Sequence, residues 1–537
     1  MTIINNSKIK NGEIFESDVC IVGSGMSAQA IAMTINQSGY KKIIIIESGK
    51  INYEKNVQSL NKYHESGILC KDIFNNRLRK LGGSANRWAS QLMLLEPSDI
   101  VDRSWIAEDL SWPIEYDEIK KYYNRAIKLI YGDYFKNINL FDFKPNKKHI
   151  SFLEEEFVKF NTFRLVSSFW PGKIEKFNEN SKFTKKILNS KNINFFEFFT
   201  TTKINVNSET QFVESVEIIS KEKKCKIKSR IFIIACGAIE NARLLLNNIK
   251  HNKILENDNV GRYFMEHPRI KLGTLKSKKK FSLSTLFGIK KMNYDYRQVV
   301  RLSKKIQQDK RILNPHIYLN PKFKNEDAHF FENFLFEIKK IIKLNGIPRL
   351  NFENFNLKVL LEQIYLKIPR QHSNPLLNNL LLGFLERKNN NLSFSDTDVV
   401  YHGEQYPNHD SKITLSSDTD YLGQNIANVD WKLNDIDHKT QNISLGLFLD
   451  RFKNHKDLIF VDNDKKKIED CAHDSGTTRM SIDKTRGVVD SNCKVFDIKN
   501  LYISGNSVFR TSGSANPGLT NLALSIRLGE HINQIIK

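Results

Sequence analysis

The sequence predicts an α/β protein: a mostly parallel sheet assembled from discontinuous stretches of chain, with an α+β part carrying a mainly antiparallel sheet inserted between them. Three observations predict this. A short apolar run meets a glycine turn and then a helix-length segment at 18–39, a second strand, small-residue turn and helix follows at 231–248, and a long helix closes the chain after 517. At 537 residues the chain also exceeds what one hydrophobic core usually serves, so two domains of interleaved segments are expected.

In chain order, the N-terminus lacks the apolar core and small-residue cleavage site of a secretory signal, which makes the cytoplasm the expected compartment. The run Asp18-Val19-Cys20-Ile21-Val22 then enters Gly23-Ser24-Gly25-Met26-Ser27-Ala28, and a second apolar run at 43–46 ends on Glu47. This is a βαβ unit with an acidic residue about 20 positions beyond its glycines, the arrangement that binds a dinucleotide. Gly23 permits the tight turn, Gly25 lets backbone approach a pyrophosphate, Ala28 allows close helix packing, and Glu47 can accept hydrogen bonds from an adenosine ribose. The ADP half is common to NAD and FAD, so this unit alone does not choose between them.

Leu81-Gly82-Gly83-Ser84-Ala85-Asn86-Arg87-Trp88 reads as a glycine-led loop passing close to a ligand, although by itself it fits any tight turn. Residues 112–128 predict a helix whose tyrosines face a core. Short β-rich runs from 183 lead to Ile231–Ala235, Cys236-Gly237-Ala238 and a helix, expected beside the first βαβ unit. Residues 271–400 are basic, rich in Phe and Leu and poor in glycine, which predicts a helical cap with a basic surface. Runs at 411–416 and 426–431 flank Asp418-Thr419-Asp420-Tyr421-Leu422-Gly423-Gln424, a hairpin signal. His473 lies in a loop, and Asn516-Pro517 stands at the start of the last helix.

Lys+Arg 82 against Asp+Glu 60 give a net charge of +22. The lysines are scattered along the chain with no zinc-finger spacing or RNP-like aromatics beside them, which argues against nucleic acid as partner. No apolar stretch reaches the roughly 20 residues that span a bilayer. The six cysteines form no CxxC pair, so neither a zinc site nor a redox motif is indicated, and free thiols fit a reducing compartment.

Six segments in order carry a family resemblance: the Gly23–Ala28 turn with Glu47, the loop 82–88, 235–246, 259–268, 473–480 and 500–528. Together they resemble the glucose-methanol-choline oxidoreductases, FAD enzymes that oxidise alcohols. The resemblance implies a Rossmann-like FAD-binding domain from 1–145, 183–270 and 462–537, and a substrate domain from 146–182 and 271–461. It further implies FAD contacts at Gly23, Gly25, Met26, Ser27, Ala28, Glu47, Gly82, Gly83, Asn86, Ala235, Gly237, Asn241, Asn506 and Pro517.

The resemblance assigns catalysis to His473 and Asn516. A neutral imidazole takes the alcohol proton while the carbinol hydride passes to the flavin, and an amide N–H steadies the developing alkoxide; no metal is required. Asn516 before Pro517 can equally serve as a helix N-cap, or do both. His267 reads as structural. Arg87 stands where some family members carry a flavin-tethering histidine, so non-covalent FAD is expected. Asp474 beside His473 is expected to raise the histidine's pKa. The expected substrate is a small alcohol, with a sugar or sugar-like polyol suggested by likeness to the pyranose-oxidising branch, together with an electron acceptor. Two alternatives stay open: a flavin-fold lyase without net redox, and a basic protein that binds membranes or polyanions.

Overall fold

A computed structural model describes residues 2–37, 39, 41–70, 73–88, 91–107, 109–131, 163–171, 177–221, 223–282, 290–291, 294–321, 393–455, 458–464 and 466–536. Its first sheet has eight strands. The order is β1 (Thr2–Ile4), β6 (Ile193–Glu197), β3 (Ile43–Glu47), β2 (Ile14–Val22), β9 (Lys223–Ile234), β8 (Phe212–Ser220) and β7 (Thr200–Asn207), with β18 (Leu501–Ile503) also on β9. Pairing is parallel from β1 to β9 and to β18, and antiparallel at β8 and β7.

Ile43 to Ile46 are all buried, as a strand covered on both faces requires. Helix α1 (Met26–Asn36) covers one face and packs against the closing helix Gly518–Ile535. At their crossing, a Cβ on Gly529 would lie 2.7 Å from the Thr34 side chain. The run at 231–234 lies beside β2 in register, so the two glycine turns open at the same sheet edge.

A second, antiparallel sheet runs β11 (Lys290–Lys291), β12 (Tyr294–Leu302), β13 (His316–Pro321), β14 (Ser393–His402), β10 (Arg269–Ser282) and β17 (Leu458–Asp462), with β5 (Phe163–Pro171) also on β12. Here the structure corrects the sequence reading: the described parts of 271–400 are mostly strand. Ile270 and Leu272 point into the core while Arg269 and Lys271 point away, a period of two that the high lysine content obscures. Lys271 is not a bare surface charge either, since it pairs with Asp398 at 2.9 Å. The helical cap expected between these strands falls on 322–392, outside the described residues.

The hairpin expected near 411–431 is present as β15 (Lys412–Thr419) and β16 (Asn425–Asp430), with β4 (Tyr63–Glu65) added parallel to β16. The helix expected at 112–128 runs Tyr116–Tyr131. Pro113 falls before it, and Asp117 and Glu118 occupy its first turn, where the helix dipole favours acids. Tyr123 is fully buried in the main core, as its spacing implied. Among the described residues no helix is long and apolar enough to cross a membrane.

Candidate active site

A cavity of about 610 Å³ opens at the edge of the parallel sheet. Its lining includes Gly23, Ser24, Gly25, Met26, Ser27 and Glu47 from the first glycine turn and strand, Ala235 and Gly237 from the second, and His473, Asn506, Asn516 and Pro517 from the C-terminal segment. Gly83, Arg87 and Trp88 form part of its wall. Four residues expected there stand behind the wall instead. Ala28 is buried in α1, and Gly82 bridges to Gly25. The Asn86 amide donates to Leu81 O and Gly83 O, holding the loop's shape. Asn241 accepts from Cys236 N at 2.7 Å and donates to Ser504 O and Ser507 Oγ, fastening the second glycine turn to the C-terminal segment. Short amides three to five residues from a turn tend to bond the backbone beside them, which the motif alone does not reveal.

The glycines sort by cause. A Cβ on Gly23 would sit 2.4 Å from Ala235 O, so packing within the protein requires glycine there. A Cβ on Gly25 would meet no protein atom within 4 Å, so its bareness serves whatever occupies the cavity. Gly25 also starts α1 without a side-chain cap, leaving the first helical amides for an anion. Glu47 accepts from Ser24 Oγ at 2.6 Å and Gly49 N at 2.9 Å, which fixes its carboxylate at the cavity wall; burial raises its pKa above the usual carboxylate value. The Oδ1 atoms of Asn506 and Asn516 are buried with no hydrogen bond, an unmet demand that a bound polar ring system would satisfy.

Around His473, two bridges, Met265 to Ser475 and Arg269 to Glu469, clamp the His473 loop against the segment leading into β10. Glu266 tightens the clamp by accepting the backbone N–H groups of His267 (3.0 Å), Cys471 (3.3 Å) and His473 (2.6 Å). This brings His267 Nδ1 to 2.9 Å from His473 Nδ1, and Asn516 Nδ2 to 3.3 Å from His473 Nε2. Asn516 donates, so His473 Nε2 accepts. Neutral His473 then carries its proton on Nδ1 and donates it to His267. The His267 ring also faces the backbone of Ser512 and Gly513.

Three sequence expectations change here. His267, read as structural, touches His473 through its Nδ1; its MEHP context gave no sign of that contact, which is made 206 positions away. Asn516 is not a helix cap: its amide points at His473, and Pro517 occupies the N-cap position with no side-chain cap bond. Asp474 does not raise the pKa of His473. Burial, with His267 and Arg269 adding to it, holds His473 well below the usual imidazole value, and Asp474 is itself raised by burial beside Arg77. The sequence reading also missed Arg77, Arg79 and Arg243, which gather around Glu240 on the cavity wall. Their combined attraction outweighs burial and holds Glu240 at a pKa of about 2.

Residues 407–525, which include His473 and Asn516, match the family model described as GMC oxidoreductase. The match covers 119 of the 537 residues and is to the C-terminal part of that family. Pyranose 2-oxidase of Lyophyllum shimeji is 40% identical over 65 residues; the aligned stretch spans 12% of this chain and a tenth of that relative's length. Among solved structures, formate oxidase of Aspergillus oryzae RIB40, studied for FAD modification, superposes with a TM-score of 0.57 at 14% identity, covering 98% of this chain and 99% of its own. Pyridoxine 4-oxidase of Mesorbium loti gives a TM-score of 0.55 at 12% identity over 96% and 98% of the two chains. At such identities the likeness is one of fold.

Proposed function

We infer that the protein is an FAD-dependent oxidoreductase acting on a CH–OH group. The observation that carries this is the His473–Asn516 pair, 3.3 Å apart, lining the same cavity as the Gly25 cradle and Glu47. Gly25, the uncapped start of α1 and Glu47 would hold the ADP half of FAD, and Asn506 and Pro517 would adjoin its ring system. Bound there, FAD supplies a two-electron acceptor.

The rest is done by this chain's side chains. His473 Nε2, its lone pair kept free by the Nδ1 contact to His267, takes the hydroxyl proton. The Asn516 N–H, turned from Nε2 to the substrate oxygen, steadies the charge that develops there. The pair is partly buried, and a substrate seated over it displaces water and strengthens both interactions. Arg87 lines the wall, and a guanidinium does not form the bond a tethering histidine makes. FAD is therefore held non-covalently, and acid precipitation should release it. The substrate we favour is a sugar or sugar-like alcohol, supported by the short pyranose 2-oxidase match. Six free cysteines accord with the cytoplasm as its site of action.

Glu47→Ala should weaken FAD retention by about 1.5–3 kcal/mol, the worth of a charged hydrogen bond, measured as the dissociation constant of FAD from reconstituted apoprotein. His267→Leu should slow flavin reduction, because His473 loses the acceptor that fixes its tautomer; His267→Asn, whose Oδ1 can accept in place of Nδ1, should restore much of the rate. Equal rates in the two variants would remove the positioning role.

The pH dependence has a defined sign. His473 works as the neutral ring, and a depressed pKa keeps it neutral to lower pH, so the acid limb of the reduction rate should lie well below pH 6.5. A limb at or above 6.5 in stopped-flow reduction would contradict the burial read here.

A further inference from the structure

Behind His473 lies a stack of histidines that catalysis does not fully use. His267, His402 and His473 each place one ring nitrogen within 4.8 Å of the other two, and among the described residues they form a group able to hold a metal ion. Ring centroids are 4.7 Å apart for His267 and His402 and 5.0 Å for His267 and His473, both edge to face, while His402 and His473 lie stacked at 5.8 Å, so His267 stands edge-on to the other two rings. His402 sits at the end of β14 and is 5% exposed. Its Nδ1 is taken up by His316 Nε2 at 3.0 Å, while its Nε2 is buried with no hydrogen bond. A buried imidazole nitrogen without a partner is uncommon, and His402 belongs to a group in which two more rings each offer a nitrogen.

We propose that His267, His402 and His473 form a zinc-binding site that switches the enzyme off by changing the tautomer of its base. Tetrahedral Zn–N bonds of about 2 Å set ligand nitrogens roughly 3.3 Å apart. The His267–His473 pair at 2.9 Å must open slightly, and His402 must close in by up to about 1.5 Å, a side-chain adjustment within the cluster. A water completes the fourth position. Burial holds all three rings neutral, the form a metal binds, and His473 lines the cavity, which gives a hydrated ion its way in.

The consequence for the base follows from proton count. Zinc takes the Nδ1 lone pair of His473, so the proton held there moves to Nε2 of the same ring. No proton is released and no bond to carbon changes. With Nε2 now an N–H, His473 has no lone pair for a hydroxyl proton, although the FAD and substrate positions stay clear. Imidazole ligands favour zinc over hard cations, so magnesium should have no effect. Binding is independent of the proposed reaction; only the inhibition rests on the role given to His473.

The test is calorimetric titration of the FAD-loaded protein with zinc chloride in chelator-free buffer, with magnesium chloride as control, paired with anaerobic flavin reduction at each zinc level. One saturable zinc per chain is expected, weakened more than about tenfold in His402→Gln, with reduction slowed in proportion to occupancy and restored by EDTA. No saturable site, or equal affinity in His402→Gln, would overturn the proposal. Should His402→Gln fold poorly, anomalous scattering from a zinc-soaked wild-type crystal decides: a peak among the three rings supports the site, and its absence there refutes it. Zinc bound among the rings with undiminished flavin reduction would leave the site standing and refute instead the role of His473.

Discussion

Replacing His473 with alanine is expected to slow anaerobic flavin reduction by about 10² to 10⁴-fold, the range for losing a general base. FAD should stay bound, because the Gly25 cradle and Glu47 are untouched. The variant should also fold. The His473 loop is anchored by backbone contacts, its N–H to Glu266 and the bridge from Met265 to Ser475, which alanine retains. Stopped-flow reduction with the flavin content checked on the same sample separates lost chemistry from lost cofactor, and a rate within threefold of wild type, on the order of 0.7 kcal/mol, would remove His473 from the reaction.

Asn516→Asp is expected to be nearly as damaging, by about 10² to 10³-fold, since it exchanges an N–H donor for a negative charge where negative charge develops. The geometry makes a second, independent statement about stability. Asn516 caps no helix, so Asn516→Ala should cost no more than about 0.5 kcal/mol, against about 1 kcal/mol for a lost cap. Normal reduction in Asn516→Asp combined with a clear stability loss in Asn516→Ala would reverse the assignment and return the residue to a capping role.

The parts of the molecule that were legible in the sequence are those whose chemistry is local. The turn at Gly23–Ala28 between a buried strand and a helix, with four isoleucines and Glu47 completing the unit, needs residue types that neighbours in sequence already display. The same holds for the hairpin around Asp420 and for the loop and helix start that carry His473 and Asn516. What stayed hidden depends on pairing between distant segments. His267 gains its role only when the bridge from Met265 to Ser475 lays it beside His473, and His402 reaches it from β14. The strands of 271–400 were masked because their outward lysines and arginines raise the charge of the segment while Ile270 and Leu272 alternate inward, so composition spoke louder than period. The direction of the His473 shift was misread for a related reason: an adjacent Asp474 is visible in sequence, whereas the burial that dominates is not.

The most direct measurement is an anaerobic titration of the FAD-loaded protein with a panel of sugars and other alcohols, following the oxidised flavin band and the carbonyl product together. The account predicts that at least one alcohol bleaches the flavin fully, forming one carbonyl per flavin, and that His473→Ala shows the same end point at a far slower rate. An alcohol that is consumed without bleaching the flavin, or a protein that neither retains nor takes up FAD, would contradict it.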